Sequence, residues 1–449
     1  MRRLTRDLAT VLTPGLALLW SSWSACAESP KSPQKIRPVA AEYQVQNSYL
    51  VKEEDADSGT STSSDPLTLE TLTQMAEENN PILRRNRARV AASQGDALQL
   101  GLWENPKFDT NNPQVFAGRN SAFNVGFAQE IPVMGKKRLD RAAGEKFVHQ
   151  QQYAYVQERM DLLTNVREQF YKVDAAQRRV KLYKLLYKLT QQSANSAQKV
   201  FEAGQTARVD ALLLQIDSET VAANLANSER LLTGARKQLA ALIGVPSVAH
   251  EEVKGNLHER PPEYDDQVLQ QFVTSQSAIM QIAKLDVDRN RIILRRAEVE
   301  KYPNPYVGPA YQVGVVQGQE SFWFNISFPI TVWNRNQGGV ASARASVRQA
   351  EEQVNATQLD QLKKLADAYS RYQATQVQAD KYRQEIIPRT QQAYHFVLEG
   401  RKHSAIDQLQ FLQAQRTMVE THVAYLGILE NLWQAAADLA GLLQLDQFP

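Results

Sequence analysis

The most informative segment of this 449-residue chain for its fold is Ser321-Phe322-Trp323-Phe324-Asn325-Ile326-Ser327-Phe328-Pro329. Its phenylalanines and its isoleucine alternate with Trp323, Asn325 and Ser327, which is the period of a β-strand with one face toward an apolar environment. The predicted strand has about ten residues, the length that a tilted strand needs to cross a bilayer.

The segment is one half of a proline-bounded stretch, Asn304–Pro329, and a similar stretch runs from Asn105 to Pro132. Each is predicted to be a β-hairpin, with turns at Gly118-Arg119-Asn120 and Gln317-Gly318-Gln319. Four strands cannot close a barrel, and in lipid each unpaired amide at a strand edge costs on the order of several kcal/mol. Three copies with twelve strands are the smallest assembly with an aqueous lumen, so we expect a homotrimer. Two soluble hairpins that cap a helical bundle are the alternative.

The two hairpins belong to a duplication with a spacing of about 200 residues, which indicates a repeated domain and not a short-repeat solenoid. The first copy is assigned to residues 67–246 and the second to residues 265–446, with residues 247–264 as a connector. Four landmarks recur in the same order: Asn79–Leu83 with Gln276–Met280, Asn105-Pro106 with Asn304-Pro305, Glu130–Pro132 with Ser327–Pro329, and Leu239–Gly244 with Leu439–Leu443.

The rest of each copy is predicted to be helical, because its apolar residues recur every third or fourth position. Uninterrupted helices are predicted over Arg138–Ala203 and Val340–Glu399, each about 90–100 Å long at about 1.5 Å per residue. Their apolar seams are typical of coiled coils. Shorter helices are predicted beside them over Leu67–Trp103, Ala207–Ile243, Val268–Lys301 and Ser404–Leu443.

The N-terminus has the features of an export signal. Three arginines in the first six residues precede the apolar run Leu8–Trp20, so residues 1–26 are predicted to be a signal peptide. Residues 27–66 are polar and without apolar periodicity, which predicts a disordered leader. Cys26 is the only cysteine, and two interpretations stay open: cleavage after Ala27, or acylation of Cys26 as in a lipoprotein.

Composition argues against several functional classes. The formal charge is +2, from 51 basic and 49 acidic residues, so no field favours nucleic acid. The six histidines are too scattered for metal-ligand spacing. We find no nucleotide-binding glycine loop, nucleophile elbow or paired catalytic acids. We therefore predict a protein that is not an enzyme and has no cofactor.

The ends of the two long helices carry turn signals. Gly204 and Gly400 are predicted to be the left-handed residues that end these helices, and Thr206 and Ser404 to cap the helices that follow. Pro388 lies inside the second long helix, where it removes a backbone hydrogen bond and is predicted to kink the helix.

From Leu67 to Gln444 the chain resembles the TolC-like outer-membrane factor family, also called outer membrane efflux proteins. The two exits from the hairpins are most similar to the heavy-metal efflux branch, the CzcC and CusC type. The resemblance rests on the order, spacing and duplication of four segments: Asn80–Leu83, Gln129–Arg138, Leu242–Pro246 and Pro329–Gly339.

The resemblance implies a mainly α fold with a small β part: a long α-helical coiled-coil barrel that extends into the periplasm of a Gram-negative-type bacterium, and a trimeric 12-stranded outer-membrane β-barrel in contact with lipid. It implies a passive exit channel of a tripartite efflux system for metal cations or small toxic compounds. An inner-membrane transporter of the RND type and a periplasmic adaptor (membrane fusion) protein would be its partners. A duct for type I protein secretion, or a lipid-anchored periplasmic coiled-coil spacer without a pore, are the alternatives.

In the family, the helix turns form a periplasmic aperture that is lined by acidic residues, to which Asp210 and Asp407 correspond here. Asp210 lies six residues after the first turn glycine, but Asp407 lies seven after the second, so the second turn needs a one-residue shift. Three copies of Asp407 would form a carboxylate ring that favours cations. Lys402 and Arg401 are the candidate locking partners of this ring.

Overall fold

The computed structural model describes residues 67–111, 122–314, 320–402, 408–446 and 448. The predicted signal peptide, leader and Cys26 lie outside these ranges, as do both hairpin turns, Ser404 and Asp407. Within the described ranges, no helix has the length and apolar character that a membrane span requires.

The described chain is mainly helical, as predicted. The helices of the first copy are α1 (Leu69–Asn79), α2 (Pro81–Gly101), α3 (Lys136–Glu202) and α4 (Arg208–Ile243). Those of the second copy are α5 (Asp266–Ser275), α6 (Ala278–Val299), α7 (Gln337–Lys381), α8 (Ile387–Lys402) and α9 (Gln408–Leu442). A 3₁₀ turn at Pro246–His250 follows α4. Helix α3 has 67 residues and is therefore about 100 Å long.

The prediction of one helix over Leu67–Trp103 was wrong, because the chain breaks there into α1 and α2. Asn80 has extended backbone angles (φ −70°, ψ 123°), as the residue before a proline prefers, and Pro81 begins α2. The buried side-chain amide of Asn80 donates to the Leu242 carbonyl at 2.6 Å. This bond anchors the break against the end of α4.

The prediction of one helix over Val268–Lys301 was also wrong, because the chain breaks there into α5 and α6. Helices α5 and α6 are separated at Gln276 and Ser277, and Ser277 has extended backbone angles (φ −57°, ψ 146°). Its hydroxyl donates to the Val273 carbonyl of α5 at 2.9 Å. The first repeated landmark is therefore a helix break in both copies.

The second long helix is also interrupted, which corrects the prediction of an unbroken helix over Val340–Glu399. A π-helical turn, Tyr382–Ile386, separates α7 from α8, and the Ile387 N–H bonds to the Tyr382 carbonyl five residues back. Pro388 explains the irregularity, because it has no N–H for the carbonyl of Gln384 and its ring would clash with that carbonyl in an α-helix. The predicted kink itself stays a prediction.

Four strands form one antiparallel sheet in the order β1-β2-β3-β4, which confirms both hairpins. Strands β2 and β3 also pair, so the hairpins of the two copies lie side by side, with β1 and β4 at the edges. The strands are β1 (Lys107–Asn111), β2 (Ala122–Glu130), β3 (Tyr306–Gly314) and β4 (Glu320–Ser327).

The described residues form two compact units, and each copy of the duplication contributes to both. One unit comprises the described residues up to Pro81, Arg159–Gln270 and those from Lys364 onward; the other comprises Ile82–Glu158 and Gln271–Lys363 and contains the whole sheet. The boundaries predicted for the two copies, residues 67–246 and 265–446, therefore stay predictions about the duplication.

The core of the first unit centres on Trp433 of α9, which is fully buried. Its indole stacks on Tyr171 of α3 with ring centroids 4.4 Å apart and donates to the Leu257 carbonyl at 3.1 Å. The segment predicted as a connector therefore takes part in this core, since Leu257 itself is fully buried.

Candidate functional site

One face of the sheet is mainly apolar, and its described polar members are Thr110, Gln129 and Glu320. The pairing aligns Phe108 with Phe127, and Val125 with Tyr311, which in turn pairs with Phe322. The rings of Phe108 and Phe127 meet edge to face at 5.4 Å. The apolar and aromatic side chains that the register puts on this face are Phe108, Val125, Phe127, Val307, Pro309, Tyr311, Phe322, Phe324 and Ile326. Every residue of β4 is exposed, so no other segment of the described chain covers this strand.

The opposite face of the sheet is polar or small. Alternation puts the following residues there: Lys107, Asp109, Asn124, Gly126, Ala128, Glu130, Tyr306, Gly308, Ala310, Gln312, Ser321, Trp323, Asn325 and Ser327. A sheet with one apolar face and one polar face suits a boundary between lipid and an aqueous lumen. The alternation predicted for β4, with Trp323 and Asn325 on the polar side, is confirmed.

The two hairpins are joined at the ends of their strands nearest the helices. The Asn304 amide donates to Glu130 Oε1 at 2.6 Å, and the Tyr306 hydroxyl donates to Glu130 Oε2 at 2.8 Å. The Val133 N–H donates to Asn304 Oδ1 at 3.2 Å. Asn304 belongs to the landmark that begins the second hairpin and Glu130 to the one that ends the first, so two different landmarks connect the copies where strands give way to helices.

Gly204 is the left-handed residue that follows the end of α3, as predicted. Gly204 has a left-handed backbone (φ +70°), its N–H bonds to the Phe201 carbonyl at 2.8 Å, and the Gln205 N–H bonds to the Val200 carbonyl at 3.0 Å. These two bonds form a Schellman motif, which satisfies the last carbonyls of the helix.

Asp210 lies exposed in the first turn of α4, close to Gly204 in sequence. The Thr206 hydroxyl donates to Asp210 Oδ2 at 3.0 Å. The expectation that Thr206 caps α4 was wrong, because the N-cap is Ala207 and it has no side-chain hydrogen bond. The hydroxyl instead tethers the predicted aperture carboxylate.

The second turn differs from its prediction. Gly400 lies inside α8, which continues to Lys402, so it is not the left-handed residue that ends this helix. Arg401 and Lys402 belong to α8, but their side chains, like the whole of Asp407, lie outside the described part of the chain. Their roles at the aperture stay predictions.

The first unit contains a cluster of charges that the sequence did not predict. The carboxyl of Glu168 on α3 shares a hydrogen bond with Asp438 on α9, while Arg371 on α7 pairs with Asp438 at 3.0 Å and with Asp367 at 3.2 Å. Burial, followed by the bond to Asp438 and the charge of that group, raises the pKa of Glu168 to about 8. Glu168 lies between the polar residues Arg167 and Gln169, so the local sequence carries no signal for this cluster.

No group of three or more His, Cys, Asp and Glu side chains that could hold a metal ion occurs among the residues that the structure describes.

Known proteins match most of this chain. A model of the outer membrane efflux protein family matches residues 72–245 and 314–443. The cobalt-zinc-cadmium resistance protein CzcC of Cupriavidus metallidurans is 26% identical over 380 residues, which are 84% of this chain and 90% of CzcC.

Solved structures share the fold. CusC, described in connection with transmembrane channel formation, has a TM-score of 0.69 at 15% identity and covers 93% of this chain and 99% of its own. The open state of the Neisseria gonorrhoeae MtrE outer membrane channel has a TM-score of 0.70 at 18% identity, with 93% and 98% covered. Since the family model matches well over half of the residues, this chain belongs to the outer membrane efflux protein family and is a channel protein of the outer membrane, similar to CzcC and CusC.

Proposed function

We propose that this chain is one protomer of a trimeric exit channel in a tripartite efflux system, through which divalent metal cations leave the cell passively. The observation that carries the proposal is the division of the sheet into an apolar and a polar face, together with its two open edges. A four-stranded sheet with these faces is one third of a twelve-stranded barrel with lipid outside and water inside.

The two open edges of the sheet explain why several copies would assemble. Within the described chain, β1 and β4 each have a partner on one side only. In a membrane such edges would leave backbone N–H and C=O groups unpaired, so β4 of one copy pairs with β1 of the next. Antiparallel order continues across this seam, because β1 and β4 run in opposite directions within the sheet.

The periplasmic aperture is proposed at the turns that join α3 to α4 and α8 to α9. Three copies of Asp210 and Asp407 bring up to six carboxylates together, which favours cations over anions. Arg401 and Lys402 are the proposed partners that hold the aperture shut. Thr206 fixes one oxygen of Asp210, so that the other is available to a neighbour.

The name of one relative supports the proposed cargo. CzcC is named a cobalt-zinc-cadmium resistance protein. The sequence has no nucleotide-binding glycine loop and the described residues form no metal site, so the proposed source of energy is an inner-membrane transporter of the RND type. A periplasmic adaptor connects the two.

Conductance in planar bilayers tests the channel. Purified wild-type trimers should give small unitary currents, and Asp210→Asn with Asp407→Asn should raise the open fraction by loosening the aperture. Glu202→Gln, an exposed acid at the end of α3, serves as the matched control and should leave the currents unchanged. Absence of unitary currents from trimers of every variant would contradict the channel.

A deletion strain tests the cargo. Loss of this protein should lower tolerance to cobalt, zinc and cadmium, and the wild-type gene should restore it, with the sodium salts of the same anions as controls. Unchanged metal tolerance together with lower tolerance to organic toxins would overturn the assignment of metal cations and leave the channel standing.

A further inference from the structure

Trp323 is out of place on the polar face of the sheet. It lies in the middle of β4, and its side chain is 50% exposed, although the large apolar residues on either side of it, Phe322 and Phe324, lie on the opposite face. The other aromatic residue on the described polar face is Tyr306, whose hydroxyl bonds to Glu130 at the strand–helix junction. Tyr306 therefore has a structural role there, and no comparable bond is shown for Trp323.

The register surrounds Trp323 with small residues. Trp323 pairs with Ala310, Ala310 with Gly126, and Gly126 with Asp109, so one row crosses all four strands of the sheet. The next two side chains in this row are the methyl group of Ala310 and the hydrogen atom of Gly126. The indole is consequently the tallest group of its row, with a carboxylate at the other end.

Closure of the barrel would repeat this row around the lumen. Because β4 of one copy adjoins β1 of the next, each Trp323 lies on the strand next to the one that carries Asp109 of the neighbouring copy. Barrels of about eight strands are filled by their side chains, whereas those of about sixteen leave a wide channel. A twelve-stranded barrel lies between, so three indoles occupy an appreciable part of its cross-section.

We propose that Trp323 forms a ring of three indoles in the barrel lumen, which narrows the exit and favours cations through their aromatic faces. The proposal rests on the trimeric channel proposed above. A cation that passes within about 6 Å of an indole face is attracted by the ring quadrupole, and Asp109 adds negative charge to the same row.

Planar-bilayer recordings on intact trimers test this ring, in the Asp210→Asn, Asp407→Asn background so that the periplasmic aperture does not mask the change. Trp323→Ala should raise unitary conductance by roughly 1.5-fold or more and reduce the cation preference measured from reversal potentials in a KCl gradient. Trp323→Leu fills much of the volume without a π face, so it should keep most of the narrowing and lose cation preference. Trp323→Phe should retain the preference.

Phe324→Ala is the matched control, because it removes an aromatic ring from the next residue of the same strand but from the lipid-facing side. Its conductance and selectivity should equal those of the background. Currents of unchanged size and selectivity in Trp323→Ala and Trp323→Leu would overturn the ring while leaving the channel intact, even if their trimers melt at lower temperature. Absence of currents from the background trimer would overturn the channel and the ring with it.

Discussion

Two of the three left-handed glycines in the first copy, Gly204 and Gly244, differ in their surroundings, and this difference predicts different costs of substitution. A Cβ on Gly204 (φ +70°) would meet no atom within 4 Å, whereas one on Gly244 (φ +84°) would lie 3.1 Å from the Asn79 carbonyl oxygen. Gly204→Ala should therefore lower the free energy of unfolding by about 1–2 kcal/mol through backbone strain alone. Gly244→Ala should cost more, because the α1–α2 break must also move.

Chemical denaturation of detergent-solubilised protein, followed by circular dichroism, measures this difference. Gly204→Asn is the control for backbone strain, since asparagine adopts the left-handed conformation more readily than alanine, and it should cost less than Gly204→Ala. Equal losses for the alanine variants at Gly204 and Gly244 would contradict the role given to the Asn79 contact.

The residue type predicted some of the left-handed backbone positions but not others. Gly204 and Gly244 are typical of helix ends, but Gln444 adopts the same left-handed conformation (φ +54°) at the end of α9. Gln444 lies 200 positions after Gly244, so the duplication locates it where its residue type does not. Gly400 was misjudged for the converse reason: a glycine near a predicted helix end need not be the last residue of the helix.

Glu168 predicts a pH dependence of stability. Burial and Asp438 raise the pKa of its carboxyl from an ordinary value of 4.5 to about 8, against the opposing charge of Arg371. The folded state thus binds more protons than the unfolded state between these two values, and stability should fall as the pH rises through this window. Glu168→Gln removes the titrating group, so its advantage in melting temperature over the wild type should grow from pH 5 to pH 8.5.

A matched measurement on Glu202→Gln separates this effect from a general change in net charge, because Glu202 lies exposed at the end of the same helix. Its melting temperature should follow that of the wild type throughout the range. A constant offset between Glu168→Gln and the wild type at every pH would show that the Glu168 carboxyl does not titrate in the window.

Among the helices, two prolines have opposite effects: Pro388 disturbs the helix that contains it, whereas Pro81 is favourable at the start of α2. Pro388 lies at the second residue of α8, with the α7 helix and the π turn preceding it, whereas Pro81 is the first residue of α2. A proline inside a helix costs about 3 kcal/mol, but at a first helical position its missing N–H has no partner to lose. Pro388→Ala should therefore raise the free energy of unfolding by about 1 kcal/mol or more, and Pro81→Ala should not.

The same pair of variants can be compared by hydrogen exchange. In Pro388→Ala the amide of residue 388 can bond to the Gln384 carbonyl, so the segment Tyr382–Ile386 should exchange more slowly. Pro81→Ala should leave exchange in α2 close to that of the wild type. An equal rise in stability from both variants would mean that the π turn is not caused by Pro388.

The two helix breaks show that local sequence patterns do not predict every boundary between helices. The break at Asn80-Pro81 carries a helix-start signal, since proline is favoured at a first helical position, and could have been predicted. The break at Ser277 has no proline, and only its equivalence with Asn80 in the duplication indicates it. The strands were predicted with more success, because their period of two needs no knowledge of distant residues.

For the whole molecule, the orientation of the sheet decides whether three copies can assemble in a bilayer. Phe324 and Asn325 are neighbours on β4, both are exposed within the chain, and they belong to opposite faces. A lysine on the lipid face costs about 2–4 kcal/mol near the bilayer midplane, and a trimer carries three of them, while a lysine toward an aqueous lumen is solvated. Phe324→Lys should therefore abolish the heat-modifiable trimer band from outer-membrane fractions, whereas Asn325→Lys should retain it and shift the reversal potential toward anions. Both variants add the same charge to the same strand, so loss of the trimer in Asn325→Lys with its retention in Phe324→Lys would reverse the assignment of the two faces.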